Sequence, residues 1–266
     1  MGFSRLWRVA PPIVAAAVLV GCHVVTPLDP SLGAGHITRD GTDTYGLTIA
    51  DGILTARAAD ANEGGNTRIV FWPAAGDPSL DQETCATWTD VKNDVRQPGA
   101  ALRTTSDHAT TQAITITKNV WAGAPWIFNV HVMDSAAETP YALIGQFNLF
   151  EAFVENSSLA PPPWRMCARV VADIVSVKVW PLADPEPAWD DPTYGGSVAL
   201  PAGWHHPGRP GWYVGHLRAS EESHFTDRTT AQVTGTAPAV SSLGSTEVPV
   251  EATTAPRPPT DIPIAP

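Results

Sequence analysis

The stretch Phe147-Asn148-Leu149-Phe150-Glu151-Ala152-Phe153-Val154-Glu155 carries two carboxylates at a spacing that glycosidic-bond chemistry can use. Read as a strand, it places Glu151, Phe153 and Glu155 on one face and Phe150, Ala152 and Val154 on the other. The second set is apolar and suits a core, so the first lines an outer or concave surface. A retaining pair of carboxylates stands about 5–5.5 Å apart. Cα atoms four residues apart in a strand are separated by about 13 Å, so a bend or converging side chains must close the gap. Three readings stay open: a catalytic pair, acceptors for sugar hydroxyls, and solvated strand acids.

Tryptophan is the other residue type abundant enough to carry a site, with 10 in 266 residues. Trp72, Trp126 and Trp180 sit in or beside apolar runs and are read as core. Trp121, Trp189, Trp204 and Trp212 sit beside Pro, Gly or Asp in expected loops. There an indole face can stack on a pyranose ring while carboxylates or amides take the hydroxyls. Packing of long loops onto the domain is the alternative. His205, His206, His216 and His224 cluster late but match no zinc spacing, so no metal is assigned to them. Asp190 and Asp191, near Tyr194, offer oxygens of the kind Ca²⁺ uses; this is the one cofactor considered, and none is assigned. His131 shares a strand face with Asn129, either in a polar groove or as a satisfied structural group. No nucleophile elbow, Walker A loop or GxGxxG fingerprint occurs.

These residues must be held by strands. A hydrophobic content of 43% excludes a wholly disordered chain. The 26 Pro and 21 Gly argue against a helical bundle. A net charge of −11 argues against a nucleic-acid partner, which needs a basic surface. ILTARA after Asp51-Gly52, TRIVFW, QAITITKNVW, WIFNVHVMD, ALIGQFNLFEAFVEN, MCARVVAD and IVSVKVW are short β-branched and aromatic runs. They are bounded by turn residues and lack helical periodicity. The expected fold is all-β, an antiparallel two-sheet jelly-roll sandwich over residues 36–228. Residues 22–35 read as a tether, and 229–266, without aromatics and rich in Thr, Ala and Pro, as a disordered tail.

At the N-terminus, Arg5 and Arg8 precede an apolar run, Pro11 to Val20, which ends in Leu19-Val20-Gly21-Cys22. This order resembles a bacterial lipoprotein signal over residues 1–21. The resemblance implies cleavage before Cys22, acylation of that Cys with palmitate-type chains, and anchoring to the outer face of a cell membrane. A cleaved soluble leader is the alternative. With Cys22 assigned to lipid, Cys85 and Cys167 remain, and in an oxidising compartment they pair most simply as one disulfide. Two separate buried thiols are the other possibility.

The units Trp164-Arg165-Met166-Cys167-Ala168-Arg169-Val170, Val177-Lys178-Val179-Trp180, Glu186-Pro187-Ala188-Trp189 and Pro210-Gly211-Trp212-Tyr213-Val214-Gly215 resemble the concanavalin A-like lectin/glucanase superfamily. The resemblance implies two curved antiparallel sheets with a concave face that handles carbohydrate. Laminarinase-type members carry Glu-x-Asp-x-Glu on such a strand, so Glu151 would be nucleophile and Glu155 acid/base. Phe153 stands where those enzymes have the central Asp. The sequence is therefore read as a monomeric envelope lipoprotein with noncatalytic carbohydrate recognition through Trp189, Trp204, Trp212, Trp121, Glu151 and Glu155. A glycoside hydrolase and a structural or protein-interaction lipoprotein are the alternatives.

Overall fold

The computed structural model describes residues 27–62, 64–91, 94–107, 109–120 and 124–235. The expected leader, Cys22, Trp121 and residues 236–266 lie outside the described residues. The strands, in chain order, are β1 (Leu32–Thr38), β2 (Tyr45–Ala50), β3 (Ile53–Ala58), β4 (Arg68–Pro73), β5 (Gln82–Trp88), β6 (Gln97–Ser106), β7 (Thr111–Lys118), β8 (Ile127–Asp134) and β9 (Tyr141–Asn148). One helical turn follows, α1 (Phe150–Phe153). Then come β10 (Val154–Glu155), β11 (Ser158–Leu159), β12 (Trp164–Val171), β13 (Ile174–Pro181), β14 (Gly195–Ala199), β15 (Arg209–Gly215) and β16 (Glu222–Gln232). The fold is the expected all-β antiparallel sandwich. A first sheet has the order β1-β4-β15-β6-β7-β8-β9, and a second has the order β14-β13-β12-β5-β16-β3-β2.

Period-2 alternation decides which side chains meet between the sheets. On β4, Ile69 and Phe71 enter the central core while Val70 and Trp72 point to the other face of the first sheet. Trp88, Trp164, Phe128, Phe153 and Phe225 fill the centre, with Phe153 and Trp164 ring centroids 4.4 Å apart. The β2–β3 hairpin turns at Asp51 and Gly52, both at positive φ, as a two-residue Asp-Gly turn requires.

The second sheet carries the disulfide. Cys85 on β5 faces Cys167 on β12, with Cα atoms 4.1 Å apart, and the two sulfurs are bonded. The expected pairing is therefore present.

The first sheet curls strongly. In a flat sheet β4 and β9, five strand spacings apart, would be separated by about 24 Å. Yet the Arg68 guanidinium of β4 lies 4.9 Å from the Tyr141 ring centre of β9. At the opposite edge β1 folds against β7. A Cβ on Gly35 would lie 2.5 Å from Thr111 Oγ1, so only glycine permits this approach. The outer face of the sheet is thus the inside of a trough. It holds a small core of its own: Ile37, Val70, Trp72, Ala101, Ala113, Met133 and Tyr213.

Two expected boundaries shift. The sandwich begins before residue 36, because Leu32 is buried in the central core and Gly33 faces Trp72 across the β1–β4 ladder. It also continues past 228, because Thr229–Gln232 pair with β5. Among the described residues, no helix is long and apolar enough to cross a membrane.

Candidate functional site

The acidic strand expected through 147–155 is broken: β9 ends at Asn148, Phe150–Phe153 form a helical turn, and only Val154–Glu155 return to a short strand, paired with β11. The Asn148 side chain accepts the Phe150 N–H at 3.2 Å, and the N–H groups of Ala152 and Phe153 return to the Leu149 carbonyl. Phe150–Phe153 therefore close one helical turn. Phe153 turns into the core, 1% exposed, while Glu151 and Glu155 stand in solvent. Glu151 and Glu155 do not share a strand face with Phe153, and the premise of the catalytic pair fails. The sequence pattern misled because Leu149 and Phe153, four apart, are the buried pair.

Trp189, Trp204 and Trp212, the expected platform tryptophans among the described residues, do not converge. Trp212 lies on β15, 3% exposed, facing the central core, with its Nε1–H donated to the Cys85 carbonyl at 3.1 Å. It has no face for a sugar. Its neighbours Pro210 and Gly211 suggested a loop, but they begin a strand: a Cβ on Gly211 would lie 2.2 Å from the Phe71 carbonyl oxygen. Trp189 folds down over the outer face of the second sheet, packing on Cys85, Cys167 and Trp180. The Arg169 guanidinium and the Lys178 ammonium lie 4.3 and 4.8 Å from its ring centre. Trp204 packs partly against the central core. Its carbonyl accepts Arg103 Nη1 at 2.7 Å, and its ring is 5.8 Å from that of His206. Trp121 lies outside the described residues.

Asp191 closes a local turn by accepting the Thr193 N–H at 2.9 Å. Among the described residues, no group of three or more His, Cys, Asp or Glu is placed to hold a metal.

What the fold does assemble lies at the mouth of the trough, on β8, β9 and β4. Asn129 and His131 point there from β8, as their shared face predicts. Gln146 of β9 stands opposite Asn129 and donates Nε2–H to its Oδ1 at 2.7 Å. Leu143 stands opposite His131, and Tyr141 opposite Met133. Leu143 and Gln146 are three apart yet share a face because the ladder shifts between Val130 and His131. The extra residue, Ile144, packs toward the central core. Tyr141 is 42% exposed, with His131 edge-on at 6.2 Å and Arg68 over its face.

Behind this mouth is a buried polar chain. Tyr213 donates its O–H to Gln97 Oε1 at 2.6 Å, and Gln97 Nε2–H goes to the Lys118 carbonyl at 2.9 Å. Thr115 Oγ1, Thr117 Oγ1 and His131 Nδ1, all buried on this face, have no hydrogen-bond partner among the described residues. Burial, and then the positive charge of Arg68, pull His131 down to about 4. The same two causes, burial first, bring His216 to about 3. Both rings are neutral at neutral pH, so they act as hydrogen-bonding groups rather than charges. Sequence reasoning missed Arg68, Tyr141 and Gln146. The only early signal was the face shared by Asn129 and His131.

No family model matches the chain, and no curated protein matches it. Solved structures with a similar strand arrangement include the carbohydrate binding module CBM66 from Bacillus subtilis. It is 10% identical, with 74% of this chain and 94% of that chain covered and a TM-score of 0.44. The VIP36 exoplasmic/lumenal domain, in its Ca²⁺/Man3GlcNAc-bound form, is 10% identical over 79% of this chain and 88% of that one, with a TM-score of 0.48. A protein of unknown function with a galectin-like fold from Bacillus subtilis is 10% identical over 71% and 88%, with a TM-score of 0.46. None of them supplies a residue role for this chain.

Proposed function

We propose that the chain is an exported lipoprotein whose sandwich recognises carbohydrate without catalysis. The anchor rests on the order of charge, apolar run and Leu-Val-Gly-Cys22 at the N-terminus. The recognition rests on one observation, the cluster at the trough mouth. An exposed tyrosine ring is flanked there by a neutral imidazole and a guanidinium, and two side-chain amides lie further along the same face, about 13 Å away by strand spacing. A sugar presents an apolar ring face and a rim of hydroxyls, and this set offers a flat surface with donors and acceptors beside it and further along the face. The solvated, separated Glu151 and Glu155 supply no matching argument for hydrolysis.

Retention on immobilised polysaccharides tests the reading. Tyr141→Ala and Gln146→Ala, at unchanged melting temperature, are expected to lower affinity at least tenfold. Unchanged retention in both variants overturns the assignment to this mouth. Loss in Trp204→Ala instead would move the site to the loop beside Asp173 and His205, which are 2.7 Å apart. No retention on any polysaccharide, with co-purification of an envelope protein, would favour the interaction lipoprotein. Fatty-acid labelling that survives Cys22→Ser would remove the anchor.

A further inference from the structure

Resting on that carbohydrate reading, we propose that the sugar taken at the trough mouth carries a carboxylate, and that Arg68 receives it. The chain is acidic, with a net charge of −11, yet Arg68 has only neutral company. Its Nη1 donates at 2.6 Å to Asn66 Oδ1, 3.0 Å to Thr38 Oγ1 and 3.3 Å to the Asn66 carbonyl, and the guanidinium also hydrogen-bonds the Tyr213 hydroxyl. The Tyr141 ring lies beneath it. No carboxylate of the described residues comes within ion-pair distance of it. Arg57 and Arg96 each hold two and Lys178 holds one. Arg68 shares its lack of an ion pair among the described residues with other arginines, Arg103 and Arg169 included, and differs from those two in lying beside the exposed Tyr141.

A half-buried guanidinium without a counter-charge is a standing electrostatic demand. Its field reaches His131 and His216 and helps hold both neutral. A guanidinium has five N–H donors, and those not spent on Asn66, Thr38 and Tyr213 can be given to a carboxylate. The surroundings suit the rest of such a sugar. The exposed Gln146, paired with Asn129 at 2.7 Å, retains amide donor and acceptor capacity for hydroxyls. An oligosaccharide with a uronic acid unit supplies the complementary parts: a carboxylate for Arg68 and an apolar ring face for Tyr141 from the acidic unit, and hydroxyls for the Gln146–Asn129 amides from a neighbouring unit along the same face.

Titration of the full chain with galacturonate, mannuronate/guluronate and glucuronate oligosaccharides, each beside its carboxyl-reduced counterpart, provides the test. The acidic form of at least one series is expected to bind ten times or more tighter than its reduced form. That gap should shrink in 0.5 M salt and vanish in Arg68→Gln, while Arg68→Lys keeps part of it. The salt series on the unaltered chain stands even if a variant misfolds. Equal affinity for acidic and reduced forms, or a gap that survives Arg68→Gln, overturns the carboxylate assignment and leaves the carbohydrate reading standing. So does binding confined to neutral glycans. Absence of binding to every acidic and neutral glycan overturns both.

Discussion

The two sheets share one core but treat their outer faces in opposite ways. The second sheet covers its face with its own chain. The loop after β13 lays Trp189 over Trp180 and the Cys85–Cys167 bridge. It also brings Glu186 to within 2.6 Å of Lys178 Nζ. The first sheet covers its face by curling, which buries Tyr213, Val70 and Trp72 at the centre. At one flank it leaves Tyr141 and Gln146 exposed beside a largely buried imidazole and a half-buried guanidinium. On the face sealed by a loop Lys178 is paired with Glu186, and the indole is occupied by Arg169 and Lys178. A face sealed by curvature is closed only where the flanks meet, and the mouth keeps unmatched polar groups. The difference shows why the tryptophans, which drew attention first, are not where the structure leaves recognition chemistry open.

If this division holds, damage to the sealed face should cost stability and spare binding. Cys85→Ser with Cys167→Ser releases a cross-link spanning 82 residues, and in the chain-entropy model that loss is about 4–5 kcal/mol. Denaturant unfolding should show it, while the fraction that stays folded retains glycan normally. A drop in affinity at full folding would break the division. Damage to the curl should cost less and spoil both properties. Gly35→Val places a branched side chain against Thr111 and Ser106, an overpacking loss of about 1–3 kcal/mol. By lifting β1 from β7 it should also loosen the mouth. A Gly35→Val chain as stable and as retentive as the original would mean that the close approach of β1 does not support the site.

The division also marks what a single sequence carries. The all-β class, the runs that became β3, β4, β7, β8, β12 and β13, and the Asp51-Gly52 hairpin were legible because each is local, and the pairing of Cys85 with Cys167 was the simpler of two readings once Cys22 was set aside for lipid. The face shared by Asn129 and His131 was legible from period 2. Beyond that, the decisive features are non-local. The curl depends on Gly35 meeting Thr111, a strand four places away in the sheet. The ladder shift that turns Gln146 outward is a single extra residue, Ile144, which looks like any other apolar strand residue. Glu151 left its expected face because one Asn148 side-chain contact and the burial of Phe153 favoured a helical turn over a strand. Trp212 was misread because Pro210 and Gly211, ordinary loop markers, serve here as close-packed strand residues.

The smallest effect separates the faces by sign. His131 on the trough side is held down to about 4, by burial and then by Arg68, against an ordinary value of 6.5. Between those values the unfolded chain binds a proton that the native ring refuses, so this group's contribution to stability falls as pH drops from about 6.5 toward 4. The slope for a fully differential proton is about 1.4 kcal/mol per pH unit. Glu83 on the sealed face is shifted the other way. Burial raises it above the usual carboxylate range, and Arg169 and Lys178 only partly offset that. Over its window the native state binds more proton than the unfolded chain, so acidification adds stability there. Denaturant unfolding at several pH values between 4 and 6.5 should therefore give His131→Gln a shallower acid loss than the original chain, and Glu83→Gln a steeper one. Slopes that change in the same direction for both variants would mean that the two faces do not differ in the way their burial and partners imply.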